Sequence, residues 1–301
     1  MKRKSVKKAA KQRLDSGFAS EVAGNSKPDQ LLQFEMNVGG RPVKAEIPLP
    51  NVDSPMRLLL PAFRKFTDLV IGAEVANVLE GTDRTISCGP ACGACCRQLV
   101  PISAIEAREL KRMLGKLRGP RKAAIRNKMR VIRETLEQEN LLESLTVALQ
   151  NPTDQRALFK VGVDYMKLGL PCPFLENESC GIHEVRPLIC REYLVTSSFE
   201  HCAWPTADKV QGINLPRKFS ELLARFQDGK GESQVAKVPL ALVGDWPINE
   251  QVNEQLANDV GTPELFNPME TFKSFMNGMA VKMPKKFDDS VEKGESFELM
   301  S

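Results

Sequence analysis

Residues 88–96 read Cys88-Gly-Pro-Ala-Cys92-Gly-Ala-Cys95-Cys96, and residues 171–191 read Pro171-Cys172-Pro-Phe-Leu-Glu-Asn-Glu-Ser-Cys180-Gly-Ile-His183-Glu-Val-Arg186-Pro-Leu-Ile-Cys190-Arg191. Together with Cys202 they account for all eight cysteines of the 301-residue chain. Ordinary core cysteines are scattered, and these are not. Two or three intervening residues let one loop turn several thiolates toward a single ion or cluster, with Gly89, Pro90 and Gly93 permitting the bends. The cysteines of the second stretch lie too far apart to close a site locally, so they act only if the fold carries them to the first. Both stretches lack helical periodicity and are expected to be loops.

Outward from these loops the pattern is helical. Ser103-Ala-Ile-Glu106 is a capping-box signature for a helix to about Leu117. Gly119-Pro120 breaks it, and Ile125, Met129, Ile132 and Leu136 stripe the next helix from Arg121. Leu142, Leu145 and Leu149 mark a continuation or successor, and Asn151-Pro152-Thr153 restarts a helix ending near Gly169. Upstream, Ser54-Pro55 reads as an N-cap with Pro at the first helical position, and Pro61 resets a helix carrying Phe66, Leu69, Val70, Ala73 and Ala76. Before that, Phe34, Met36 and Val38, then Val43, Ala45 and Ile47, alternate around Gly39-Gly40, a hairpin signal. Downstream, Phe219, Leu222, Leu223 and Phe226 mark a helix, and Thr262-Pro263 and Pro268 open short helices to about Ala280. The expected fold is mainly α: helices around a loop-rich cysteine metal centre, with a small N-terminal β-hairpin. Residues 1–28 are expected to be a basic disordered tail, 29–283 one domain with its cysteine module at about 85–202, and 284–301 a polar tail.

Composition narrows the class. With 42% apolar and 27% charged residues the chain is neither collagen-like, low-complexity nor wholly disordered, and with only 6% aromatic residues its core is expected to be mostly aliphatic. The first residues are basic, but no apolar signal region follows, and the most hydrophobic stretch, 69–79, is too short to span a bilayer. A cytoplasmic protein is expected. Thiols there stay reduced, so the cysteines read as ligands or redox groups rather than disulfides.

Four thiolates suit tetrahedral zinc or an iron–sulfur cluster alike, so ligand type does not separate the two. Eight cysteines exceed what one four-coordinate zinc needs, which leaves two centres, or one centre with spare thiols. The neighbours Cys95 and Cys96 are not expected to point the same way. His183 follows Cys180 closely enough to be a ligand or a donor to one; an exposed surface histidine is the alternative. Arg186 and Arg191 flank Cys190, where a guanidinium offsets thiolate charge or holds an anionic substrate, with salt bridges to Glu184 or Glu192 as the alternative.

At these residues the chain resembles the YkgJ-like cysteine-cluster family of zinc- or iron-chelating domains. The resemblance rests on Cys88, Cys92, Cys95, Cys96, Cys172, Phe174, Cys180, Ile182, His183, Arg186, Pro187, Cys190 and Arg191, and spans roughly residues 85–195. It implies zinc or iron held by Cys88, Cys92, Cys95, Cys96, Cys172, Cys180, His183 and Cys190, with Arg186 and Arg191 at the cofactor. Some relatives are flagellin lysine N-methylases, which implies S-adenosylmethionine-dependent methyl transfer, although no glycine-rich nucleotide loop accompanies it here. Cys202 lies outside the shared pattern.

Residues 111–133 hold ten Lys/Arg and no Asp/Glu, and Lys122, Arg126, Arg130 and Arg133 share one side of a helix. That face suits an acidic protein or nucleic acid, but no aromatic residue is there to stack on a base. Acid–base or nucleophilic catalysis has no signature: there is no G-x-S-x-G, no HExxH, and only two His. The classes left are an iron–sulfur oxidoreductase or methyltransferase, a structural-zinc protein, and an interaction factor docking RNA or an acidic protein through its basic helices.

Overall fold

The computed structural model describes residues 30–89, 92–151, 154–206, 208–216, 218–225, 237–244, 246, 265–277, 281–282 and 296–299. The sequence readings at residues 1–28, Pro90, Pro152-Thr153, Phe226 and Thr262-Pro263 lie outside them. The described chain is mainly helical, with eight α-helices. None of these is long and apolar enough to cross a membrane.

Alternating residues form the expected hairpin, β1 (Gln30–Val38) paired with β2 (Arg41–Leu49) in antiparallel register from Gln30↔Leu49 to Val38↔Arg41. Gly39 and Gly40 make the turn at φ 56° and 90°, a left-handed pair that favours glycine. One face buries Leu32, Phe34, Met36 and Val38 against α1 (Leu60–Leu79). The N-terminus of α1 differs from the sequence reading. Ser54 is bridged to Phe266, Met56–Leu59 is a 3₁₀ turn, and Pro61 sits in the first turn of α1. Proline lacks the N–H that this turn leaves unbonded, so Pro61 starts the helix instead of resetting it.

The cysteine-bearing half is carried by α2 (Ala104–Lys116), α3 (Gly119–Gln138), α4 (Leu142–Gln150) and α5 (Gln155–Lys167). The capping box forms as read: Ser103 Oγ accepts from the Glu106 N–H, and the Glu106 carboxylate accepts from the Ser103 N–H. Ile125, Met129, Ile132 and Leu136 are all buried. The short strand β3 (Pro101–Ser103) leads into α2.

One short helix closes the second cysteine stretch and another comes after it. They are α6 (Leu188–Glu192) and α7 (Phe219–Arg225). Glu106 Oε1 accepts from the Leu188 N–H at 2.8 Å, and Glu192 accepts from the Ser220 N–H at 2.7 Å, so α6 is moored to α2 and α7. The last described helix is α8 (Pro268–Asn277). Within the stretch read as a polar tail, Ser296–Leu299 is a strand lying parallel to β1.

Buried apolar residues fall into two clusters, one under α2–α5 and one shared by β1, β2, α1, α7 and α8. Both are mostly aliphatic, as expected, but the second also gathers a group of rings. Phe34, Phe63, Phe66, Phe219, Phe272 and Phe275 pack there with ring centroids 4.3 to 6.4 Å apart. A low aromatic total did not forbid this, because the phenylalanines are concentrated in one place.

Candidate metal centre

The first cysteine stretch is fixed by backbone contacts. Ser87 N–H donates to Val195 O at 3.0 Å, and the Val195 N–H donates in turn to the Cys88 sulfur. Cys92 N–H bonds to Gly89 O, and after Gly93 a 3₁₀ turn, Ala94–Arg97, presents Cys95 and Cys96.

The second stretch is built from a hairpin and a turn. β4 (Leu175–Glu176) pairs with β5 (Ser179–Cys180) around Asn177 and Glu178, at φ 50° and 57°. The sulfurs of Cys172 and Cys180 each accept from the backbone N–H two residues on, at Phe174 and Ile182. Cys190 follows on α6.

The fold does bring the stretches together. Cys172 N–H donates to Cys96 O at 2.7 Å. Arg97 grips Glu178 with Nη1 and Nη2 at 3.1 and 2.8 Å. Gly93 lies so close to the hairpin that a Cβ would come within 2.6 Å of Leu175 Cδ1 and 3.1 Å of Glu178 O. A Cβ on Gly181 would stand 2.9 Å from Phe174 O, so the reversal after Cys180 also requires glycine.

Electrostatics show how the sulfurs group. Cys95 is near enough to raise the thiols of Cys88, Cys172, Cys180, Cys190 and Cys202. Its own thiol is pushed up first by a hydrogen bond with the Cys96 side chain and then by burial. The adjacent sulfurs therefore do meet, contrary to the divergence expected of neighbours in the chain. Burial raises Cys172 to about 12, Cys202 to about 11 and Cys190 well above its usual value. Among the described residues no three ligating side chains are set as a closed coordination group. The thiols form a shell close enough for mutual influence.

The chemistry of this shell fits a soft, thiophilic metal: sulfur donors, peptide N–H groups aimed at three of them, and nearby cations, with Lys128 acting on Cys172 and Arg191 on Cys180. The cation with the widest reach is Arg186. Its charge reaches Cys88, Cys95, Cys180 and Cys190, and its Nε is buried with no hydrogen-bond partner among the described residues. A buried orphan donor among thiols is costly unless it faces negative charge, which metal-bound thiolates supply.

The other residues read from sequence divide. Arg191 is buried and turned to scaffolding, with Nη1 on Asp68, Nε on Arg186 O and Nη2 on the Glu184 carbonyl. His183 is exposed in a 3₁₀ turn. Cys202, left outside the pattern, is buried, and Cys88, Cys92 and Cys95 all raise its thiol. Tyr193 donates its hydroxyl to the Cys202 sulfur, and Gln98 Nε2 donates to Cys202 O at 2.7 Å. Neither contact had a signal in the sequence: the Gln98 contact joins residues 104 apart, and the Tyr193 contact depends on the turn that folds Cys202 back. On the basic face, Arg130 pairs with Glu134 at 2.6 Å and Arg133 with Glu137 at 3.8 Å, while Lys122 Nζ donates to Gly115 O.

Residues 87–208 match the model of the CxxCxxCC family, described as a putative zinc- or iron-chelating domain. No curated protein and no solved structure matches the chain.

Proposed function

We propose, from the premise that residues 87–208 are a domain of the CxxCxxCC family, that this protein binds zinc or an iron–sulfur cluster through thiolates drawn from both cysteine stretches. The observation that carries this reading is the position of Cys95, within electrostatic reach of five cysteines from the two stretches and of Arg186. The bound group would supply Lewis acidity or, as a cluster, electron transfer. The chain's own part is to aim peptide N–H groups at the sulfurs and to offset their charge with Arg186.

Seven of the eight cysteine residues keep part of their surface exposed while burial raises the thiols of Cys172, Cys180 and Cys190, so the shell lies just under the surface, which favours a centre within reach of a small anionic molecule over a deeply sealed one. Redox chemistry is therefore the activity we favour. Methyl transfer rests on the family resemblance alone.

The test is anaerobic purification followed by a visible spectrum and assays for iron, zinc and acid-labile sulfide. Iron with sulfide supports the cluster, and stoichiometric zinc supports the ion. A folded protein free of both, and unable to take up either, would overturn the reading.

A further inference from the structure

The cysteines sort into two groups of three by how they are held. Cys172, Cys180 and Cys190 pack against the apolar core under α2–α5. Cys172 and Cys180 flank one hairpin, and Cys190 N–H is bonded to Pro187 O at the start of α6. Cys88, Cys92 and Cys202 belong to a different neighbourhood. Cys88 is tied to the 195–197 segment by the bonds of Ser87 to Val195 O and Ser197 O. The Cys202 turn, Phe199–Ala203, lies on the Ala94–Arg97 turn and is held by Gln98 and Tyr193.

Charge influence divides along the same line. Cys190 feels Cys172 and Cys180, whereas Cys202 feels Cys88 and Cys92. Cys95 appears in both groups, and Cys96 touches it. Three and three leave each group one thiolate short of four, and the adjacent pair stands between them.

We propose that the chain holds two thiolate centres, one on Cys172, Cys180 and Cys190 and one on Cys88, Cys92 and Cys202, with Cys95 and Cys96 supplying the fourth ligand of each. This rests on the metal-binding reading above and goes further in number and in ligand assignment: Cys202 becomes a ligand and His183 does not. Sharing a vicinal pair would couple the sites. A metal in one fixes the Ala94–Arg97 turn and so prepares the fourth ligand of the other.

Anaerobic cobalt(II) titration of the reduced, metal-free full-length chain tests it, because sulfur-to-cobalt charge transfer reports thiolate ligation directly. The expected result is absorbance rising to saturation at two equivalents per chain. Cys202→Ser and Cys180→Ser should each saturate at one equivalent, and His183→Ala at two. Saturation of the unaltered chain at one equivalent would overturn the two-centre inference while leaving the metal-binding function intact. A complete lack of charge-transfer absorption would remove that function, and this inference with it. Because the first comparison needs no variant, a misfolded serine mutant does not rescue the idea. If Cys202→Ser retained both equivalents, the assignment of Cys202 would fall.

Discussion

Phe66 and Cys95 each sit at the middle of their half of the molecule, in contrasting surroundings. Phe66 is fully buried, with the rings of Phe34, Phe219, Phe272 and Phe275 around it. Cys95 is partly exposed, on a four-residue 3₁₀ turn among two-residue strands and a five-residue helix. Ordering such loops costs chain entropy. Residues 172–195 offset part of it by burying Phe174, Leu175, Ile182, Leu188 and Val195, whereas no residue from Ala94 to Arg97 is buried, so that turn is where metal would add most.

Removing the metal should give the largest effect, since metal–thiolate bonds made only in the folded chain count toward folding, by about 10 kcal/mol in the strongest small zinc domains. Hydrogen exchange on the chelated protein should show amides of 88–98 and 172–202 losing protection while β1, β2 and α1 keep theirs. Equal loss in both halves would break the contrast. Reloading should also depend on pH. Burial holds Cys172 near 12 and Cys202 near 11, so both thiols are protonated at neutral pH and metal must displace those protons. Each proton released weakens apparent affinity about tenfold per unit fall in pH, which competition with a chromophoric chelator at two pH values would measure.

Phe66→Ala attacks the other half. Emptying that site should cost about 3–5 kcal/mol, read as a lower denaturation midpoint. The folded fraction should bind as much metal as before, and a lost metal would mean that the two halves are not separable in this sense.

The helical half was legible because its rules are local: Ser103 with Glu106 caps α2, and the spacing from Ile125 to Leu136 buries one face of α3. The clustering of the cysteines into two stretches was also legible. The meeting of those stretches was not. It depends on Cys172 meeting the Cys96 carbonyl and on Gln98 holding the Cys202 turn, contacts between distant segments that no periodicity announces. Arg186 and Arg191 show the same limit, because sequence makes them equivalent neighbours of Cys190. Asp68 on α1 ties Arg191 into the scaffold, where its charge acts on Cys180, whereas the charge of Arg186 reaches four of the thiols.

Two glycines sharpen the contrast at a smaller scale. Gly181→Ala forces a Cβ to 2.9 Å from the Phe174 carbonyl, a backbone atom that cannot swing aside. It should cost about 1–3 kcal/mol and lower metal occupancy. Gly115, in α2, has nothing within 4 Å of its would-be Cβ and no positive φ. Gly115→Ala should gain up to about 1 kcal/mol by favouring the helix, with occupancy unchanged. Thermal melts paired with metal analysis of each variant would read both quantities.

The smallest effect expected is at Glu178, where two terms oppose each other. Its φ of 57° is left-handed, a conformation costing an ordinary residue about 1–2 kcal/mol that glycine would not incur. Its carboxylate meanwhile clasps Arg97 across the two cysteine stretches, but with 57% of the side chain exposed. An exposed pair contributes about 0.2–1 kcal/mol. Glu178→Gly removes strain and clasp together and should leave stability within about 1 kcal/mol of the starting chain, whereas Glu178→Ala keeps the strain and loses the clasp, so it should be the less stable of the two. If the alanine variant matched the glycine variant in its melt while both lost metal, the clasp would matter for gathering the thiols and the turn strain would not. That would place the junction of the two stretches, rather than either stretch alone, in control of loading.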